Sequence, residues 1–253
     1  MDNSVILQAR RLRKEFGGLV AVNNVNLEIR AGAFHSIIGP NGAGKTTLLN
    51  LLSRTLDPTG GHVVFKERDI TRLPVERIAH LGMGRSFQIT NLFPNLTVFE
   101  NIRLACQALG RDNFKMLNRS SDFTKYAERT RQVIEQVGLT ARATTIARNL
   151  PHGDQRKLEL GMILAPDPDV LLLDEPTAGM ASEQVAEFMA LIQQVQKAGR
   201  KTVVLVEHNM NVVMNASTVI TVMHQGAVLA EGTPKEIAAN ETVQTAYLGG
   251  MPW

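Results

Sequence analysis

Eight consecutive residues form a pattern that can bind phosphate. They match G-x-x-x-x-G-K-[ST] without a mismatch and are Gly39, Pro40, Asn41, Gly42, Ala43, Gly44, Lys45 and Thr46. Glycines let such a loop turn its backbone N–H groups inward, and a helix that follows the loop directs its positive end at the same point. Lys45 would add a positive charge, and the Thr46 hydroxyl could reach a Mg²⁺ ion. The pattern therefore predicts a site for nucleotide phosphates.

Two acidic residues follow a short, wholly apolar segment. Residues 170–173 are Val-Leu-Leu-Leu, a composition typical of a central strand in a parallel sheet. Asp174 and Glu175 come next, and open α/β sheets bind their ligands beyond the carboxyl ends of their strands. Asp174 is therefore predicted to orient the ligand shell of Mg²⁺, and Glu175 to poise the attacking water at the γ-phosphate.

The segments around these residues alternate between strand and helix. Residues 34–38 form a predicted strand, and residues 45–54 a predicted helix with four leucines available to a core. The later predicted helices are 153–164, 183–197 and 209–215, and the later predicted strands are 170–173, 202–206, about 218–223 and about 227–230. Such alternation predicts parallel strands joined by crossover helices, which is an α/β fold.

Two regions depart from this alternation. The start of the chain is β-rich, with strand-like stretches interrupted by Phe16-Gly17-Gly18. These stretches are residues 5–7, 19–22 and 25–29. Residues 97–109 and 123–137 are predicted helices, and in the second of them apolar residues recur at helical spacing. We therefore expect a single domain over residues 1–253, with a helical subdomain inserted at about 90–160.

Composition limits the class of protein. The 253 residues are 44% hydrophobic and 20% charged, which excludes a disordered chain and permits a large core. Cys106 is the single cysteine and cannot form an internal disulfide. No apolar signal segment follows Met1, so the sequence predicts a cytosolic protein. No apolar run approaches the roughly 20 residues that cross a bilayer, so we do not expect the chain to span a membrane alone. The net charge is +3, and residues 106–150 alone carry eight Lys or Arg against four Asp or Glu, which predicts a basic face that is either solvated or turned toward a partner.

Taken in order, these motifs resemble those of the ATP-binding cassette (ABC) ATPases. Residues 84–88, Gly-Arg-Ser-Phe-Gln, resemble the Q-loop and would supply Gln88, and residues 206–208, Val-Glu-His, resemble the segment with the switch histidine, here His208. Phe16 lies where the family stacks an aromatic ring on adenine. The resemblance covers essentially the whole chain and implies a P-loop NTPase core with a parallel sheet, an N-terminal antiparallel β portion and a helical subdomain.

The resemblance also implies cofactors and functional residues. ATP and Mg²⁺ would be the cofactors, with Glu175, His208 and Gln88 catalytic and with Thr46, Gln88 and Asp174 at the metal. The residues implied in ATP binding are Phe16, Gly39, Pro40, Asn41, Gly42, Ala43, Gly44, Lys45, Thr46, Thr47, Pro151, His152 and Gly153.

Within the family, three segments resemble the ATPase subunits of branched-chain or hydrophobic amino acid importers. They are residues 16–22, 82–102 and 228–249. This implies a peripheral subunit on the cytoplasmic face of the inner membrane, acting with a second ATPase subunit, transmembrane permeases and, indirectly, an external substrate-binding protein. No nucleic acid is expected. Urea or amide importers and the lipopolysaccharide-export ATPase are similar over the same stretches, and a non-transport ABC ATPase or a regulatory subunit of low activity remains an alternative.

Two departures from the family pattern stand out. The family signature L-S-G-G-Q, which closes on the γ-phosphate of the partner's nucleotide, is here replaced by residues 150–155, Leu-Pro-His-Gly-Asp-Gln, so Pro151 stands in place of the serine. Ala181 occupies a position where the family usually has aspartate. These changes predict either ordinary subfamily variation or a slow or asymmetric site.

Overall fold

A computed structural model describes residues 4–86, 92–108, 110 and 124–248. The strands are β1 (Val5–Phe16), β2 (Leu19–Arg30), β3 (Phe34–Ile38), β4 (Gly60–Phe65), β5 (Arg68–Asp69), β6 (Met83–Arg85), β7 (Val170–Asp174), β8 (Thr202–Val206), β9 (Val219–His224) and β10 (Ala227–Gly232). The helices are α1 (Lys45–Leu52), α2 (Val75–His80), α3 (Val98–Ala108), α4 (Thr124–Gln136), α5 (His152–Leu164), α6 (Ser182–Gly199), α7 (Met210–Ala216), α8 (Pro234–Ala238) and α9 (Glu241–Leu248).

A six-stranded sheet carries the predicted phosphate loop and the acidic pair. Its order is β10-β9-β3-β8-β7-β6, and all neighbours are parallel except the edge pair β9 and β10. The strands β3, β7 and β8 are buried along their whole length, as expected for central parallel strands with both faces covered. The α/β fold class is confirmed.

The start of the chain forms a second sheet, with the antiparallel order β2-β1-β4-β5. The prediction of three short stretches was wrong in extent, because β1 and β2 are 12-residue strands joined by a turn at Gly17 and Gly18. Charged residues hid the pattern, although Leu7, Ala9 and Leu12 still point inward from β1. Register shifts along the pair bend the strands.

Helices α3, α4 and α5 pack on one another and on the six-stranded sheet. One apolar cluster runs from Ile102 and Val133 on α3 and α4 through Leu158 on α5 to Leu171 and Leu205 on the sheet. Gly161 permits the close approach of α5 to α3, since a Cβ there would lie 3.0 Å from Cδ1 of Ile102. The delimitation of residues 90–160 as a subdomain, and of residues 1–253 as one domain, stays a prediction.

Three of the eight basic residues in the 106–150 segment, Arg111, Lys115 and Arg119, lie outside the described residues. Three described basic residues of this segment make internal contacts. Arg129 donates to the carbonyl of Leu164 at 2.9 Å, Arg142 lies 3.8 Å from a carboxylate oxygen of Asp154, and Arg148 donates to Asn95 at 2.8 Å. In the described part of the chain, no helix has the length and apolar character needed to cross a membrane.

Candidate functional site

The phosphate loop joins β3 to α1 in a conformation that requires glycine. Gly39 and Gly44 have φ values of 155° and 95°, and a Cβ on either would lie 2.3 Å from a backbone oxygen, that of Met223 or that of Ala21. Gly44 is also the N-cap of α1 and leaves the first turn without a side-chain cap. The free N–H groups of that turn are therefore available to an anion.

The side chain of Lys45 folds back onto the phosphate loop. The side chain is mostly buried, and Nζ donates to the carbonyl oxygens of Gly39 at 2.8 Å and Pro40 at 3.1 Å. Burial lowers the pKa of Lys45, while the negative charges of Glu175 and Asp174 oppose this shift. The ammonium group therefore lies near two carboxylates. It donates hydrogen bonds to loop carbonyls, and the oxygens of a bound phosphate could accept these hydrogen bonds instead.

Asp174, at the carboxyl end of β7, is a buried carboxylate that lacks hydrogen bonds. Neither side-chain oxygen has a partner among the described residues. Burial raises the pKa of Asp174. The positive charge of Arg85 lowers it, the negative charge of Glu175 raises it further, and the neighbouring Thr46 hydroxyl and Lys45 ammonium lower it to a smaller extent. A buried, unpaired carboxylate beside a threonine hydroxyl fits a Mg²⁺ ligand. No three His, Cys, Asp or Glu side chains of the described residues cluster as a metal site, so phosphate oxygens and water would have to complete the shell.

Glu175 and His208 lie side by side, because the strands β7 and β8 that precede them are parallel neighbours. Their closest atoms, Oε1 and Nδ1, are 3.8 Å apart, and both side chains are accessible to solvent. Glu175 has a left-handed backbone with φ 46°, and its N–H donates to the carbonyl of Val206 at 2.9 Å. Such a backbone is uncommon in a residue other than glycine and directs Glu175 out of the line of the strand.

Phe16 ends β1 at the turn into β2, and β2 is linked to the phosphate loop. Its ring is 48% exposed and has Nζ of Lys14 5.1 Å from its centroid. The hairpin and the loop are joined through Gly226, which accepts from the N–H of Asn23 at 2.8 Å and donates to the carbonyl of Ala43 at 3.1 Å. An exposed ring at this place is available to stack on a base.

The start of α5 does not join this group of residues. Helix α5 packs against α3, α4, α6 and β6, whereas α1 packs against β2, β7 and β8. His152 faces Gly179 and Gly153 faces Gln184, and Pro151 caps the helix without a side-chain hydrogen bond. Gln88 lies outside the described residues.

Three polar residues near the site were not singled out from the sequence. Ser86 accepts a hydrogen bond from the N–H of Asp174 at 3.0 Å, and Arg85 donates to Ser53 at 2.6 Å. Glu207 is wholly buried and accepts from the hydroxyl of Thr177 at 2.5 Å. A sequence signal that could have pointed to these residues is their position at the ends of β6 and β8, the two strands that flank β7.

Comparison with protein families and curated proteins agrees with this geometry. A family model described as ABC transporter matches residues 22–178, and one described as branched-chain amino acid ATP-binding cassette transporter matches residues 227–251. The chain is 41% identical to the high-affinity branched-chain amino acid transport ATP-binding protein LivG of Salmonella typhimurium, over 96% of this chain and 98% of LivG. It is 30% identical to the lipopolysaccharide export system ATP-binding protein LptB of Acidithiobacillus ferridurans, over 97% of this chain and 98% of LptB.

Solved structures agree as well. A crystal structure of the ADP conformation of an ATP-binding cassette superposes with a TM-score of 0.83 at 26% identity, over 97% of this chain and 99% of the other. A dimeric cassette in a post-hydrolysis state, bound to ADP and Pi, superposes with a TM-score of 0.77 at 28% identity, over 90% of this chain and 99% of the other.

Proposed function

Since the chain belongs to the ABC transporter family, we propose that it is the ATPase subunit that drives an importer of branched-chain or other hydrophobic amino acids. Members of this family are ATPases, which convert ATP and water to ADP and phosphate. The observation that carries the proposal is the convergence of Lys45, Asp174, Glu175 and His208 at the carboxyl ends of three adjacent strands. The identity to LivG and the match at residues 227–251 support the substrate class.

Each residue of this group has a distinct role in the proposed reaction. Lys45 and the loop N–H groups bind the β- and γ-phosphates, and Phe16 stacks on the base. Thr46 and Asp174, with Gln88, would hold Mg²⁺, which supplies charge neutralisation at the phosphates. Glu175 accepts a hydrogen bond from the attacking water and orients it, and His208 lies beside it to contact the γ-phosphate.

Two such chains, the same or related, would act together. Residues 151–153 start a helix whose packing partners differ from those of the phosphate-loop helix. A facing subunit can bring its own helix start to the nucleotide, where the free N–H groups of the first turn meet the γ-phosphate. The dimeric cassette with ADP and Pi, similar over 90% of this chain, supports this arrangement.

A groove next to the site suits a permease segment. It has a volume of about 560 Å³ and lies between α2 and β6 on one side and α3 and α5 on the other. Its lining is mostly apolar, and Val75 and Phe93 are exposed at 46% and 49%. Ser86 also lines the groove and accepts from the N–H of Asp174, so an occupant would contact the strand end that supports the metal carboxylate.

The remaining assignments follow from this arrangement. The chain would sit peripherally on the cytoplasmic face of the inner membrane, held there by the permease, and an external binding protein would deliver the substrate.

A lipopolysaccharide exporter is the second candidate function, which the similarity to LptB supports. A urea or amide importer is a third. Identification of the membrane proteins that copurify with the chain separates these cases.

The decisive variant is Glu175→Gln. The amide keeps the shape of the side chain but cannot act as a base, so ATP should still bind while hydrolysis falls by at least about 100-fold. ATP-dependent dimerisation should become stable enough to see by size-exclusion chromatography with light scattering. Glu183→Gln, an exposed change on α6, is the control and should behave as the unaltered chain. Ordinary turnover in Glu175→Gln would remove this residue from its role.

A further inference from the structure

The carboxylate of Glu207 is buried in a shell of hydrogen-bond donors. The residue ends β8, and its side chain is 0% exposed. Oε1 accepts from the N–H of Thr177 at 3.2 Å and from its hydroxyl at 2.5 Å, while Oε2 accepts from the N–H of His208 at 3.2 Å and lies 3.5 Å from that of Asn209. In the described part of the chain no Lys or Arg pairs with this carboxylate under 4 Å. Backbone and hydroxyl donors therefore compensate for its burial.

These donors come from the two segments that carry the hydrolytic pair. Thr177 lies two residues after Glu175, and His208 directly follows Glu207. Near this point the exits of β7 and β8 are also joined by the bond from Glu175 N–H to the Val206 carbonyl. The left-handed backbone of Glu175 is energetically unfavourable for a residue other than glycine and persists only where surrounding contacts hold it.

We propose that Glu207 is a positioning residue for ATP hydrolysis, one that fixes Glu175 and His208 relative to each other. The inference rests on the proposed roles of those two residues. Because Glu207 is buried, it does not touch the nucleotide or the attacking water. Its carboxylate bridges the segment after Glu175 to the start of the His208 segment, and so sets the 3.8 Å separation of their side chains. A displacement of about 1 Å in such a pair costs roughly 100-fold in rate.

The first test replaces the carboxylate by an amide. In Glu207→Gln one acceptor oxygen becomes an NH₂ group that faces N–H donors, so half of the bridge is lost. In the full chain assembled with its permease, kcat should fall by about tenfold or more, whereas the dissociation constant for ATP should change less than about threefold. A kcat unchanged at a temperature well below Tm would overturn the proposal.

A second pair of variants keeps the proposal testable if Glu207→Gln does not fold. Thr177→Val removes the hydroxyl that donates at 2.5 Å, and Thr177→Ser retains it. Thr177→Val should lower kcat and Thr177→Ser should restore it. The matched control is Thr130→Val, which removes a buried hydroxyl that donates within α4 to the Tyr126 carbonyl and should alter stability alone. Equal kcat values for the Val and Ser variants at position 177 would overturn the proposal.

A double-mutant cycle separates positioning from simple stability. His208→Ala should cost much less in the Glu207→Gln background than in the unaltered chain, because that histidine is already displaced. Fully additive losses would overturn the inference while leaving Glu175 and His208 in their roles. Ordinary turnover in both Glu175→Gln and His208→Ala would instead overturn the proposed site itself.

Discussion

Lys45 and Asp174 are a cation and an anion that are both taken out of water. Burial lowers the pKa of Lys45 and raises the pKa of Asp174, so each charge is held at a cost. Within the described residues, neither oxygen of Asp174 has a hydrogen-bond partner, and the acceptors of Lys45 are carbonyls of the phosphate loop. Bound Mg²⁺ and phosphate would satisfy both groups.

Lys45→Ala should weaken nucleotide binding itself. The change deletes a phosphate-directed charge whose hydrogen bonds contribute about 1.5–3 kcal/mol, which is roughly 10- to 100-fold in the dissociation constant of ATP. Fluorescent-nucleotide titration measures this, with the exposed Lys235→Ala as control. Unchanged affinity in Lys45→Ala would contradict the assignment.

Asp174→Asn should stabilise the nucleotide-free chain while impairing its use of Mg²⁺. The pKa of Asp174 is higher in the folded than in the unfolded chain, so between these two pKa values the folded chain binds more protons. The free energy of unfolding therefore falls as the pH rises through that window. The asparagine variant should therefore have the higher Tm at pH 7, and the gain should shrink toward acid pH, where the carboxyl is protonated in both states. Thermal unfolding against pH tests this, and a lower Tm at pH 7 would refute it.

At the scale of elements, parallel strands bring the side chains of the nucleotide site together, whereas helix α5 packs against other elements. The ends of β3, β7 and β8 are adjacent because these strands are consecutive in the sheet. Helix α5 instead packs on α3, α4, α6 and β6, and its first turn has no side-chain cap. Its N–H groups are thus available to a ligand from outside the chain.

Gly153→Ala should separate folding from turnover. A Cβ at this position would lie 3.4 Å from the flexible side chain of Gln184, so the variant should fold, and alanine adds up to about 1 kcal/mol of helix stability. The same Cβ would obstruct the approach of a partner's γ-phosphate, and turnover in the assembled transporter should fall roughly tenfold or more. Gly60→Ala, whose Cβ would have only an ordinary contact at 3.8 Å, is the control. Full turnover in Gly153→Ala would show that close approach here is not needed.

At the scale of the whole molecule, the short strand β6 connects the groove to the nucleotide site. Strand β6 pairs with β7 and lines the groove with Gly84 and Arg85. Arg85 is tied to Ser53 and Thr55 beyond the end of α1. If a permease segment occupies the groove as proposed, its movement would reach both the loop helix and Asp174.

Val75→Asp should uncouple the ATPase from its permease. The residue is on the exposed side of the groove, so a charge there leaves the isolated chain folded but becomes costly to bury under a docked apolar segment. Permease-stimulated turnover should fall about tenfold, and the turnover of the isolated chain should not change. Val75→Thr, of similar shape, is the control. Normal stimulation in Val75→Asp would place the permease elsewhere.

Local patterns in the sequence were enough to predict the glycine loop, the strand before Asp174 and the helices at 183–197 and 209–215. In each case the chemistry lies in consecutive residues, or the apolar residues recur over several turns, so the signal is complete within one segment. The short elements β4, β5, β6 and α2 were missed, because a segment of two to six residues carries too little periodicity to be recognised.

Tertiary structure alone decided which of these segments meet. The 3.8 Å contact of Glu175 with His208 depends on β7 and β8 being neighbours, and the burial of Glu207 depends on donors from Thr177, 30 residues away. A carboxylate is normally found at the surface, and only remote donors make its burial tolerable. Sheet order and the partners of a buried polar group are long-range properties, and no local run of residues encodes them on its own.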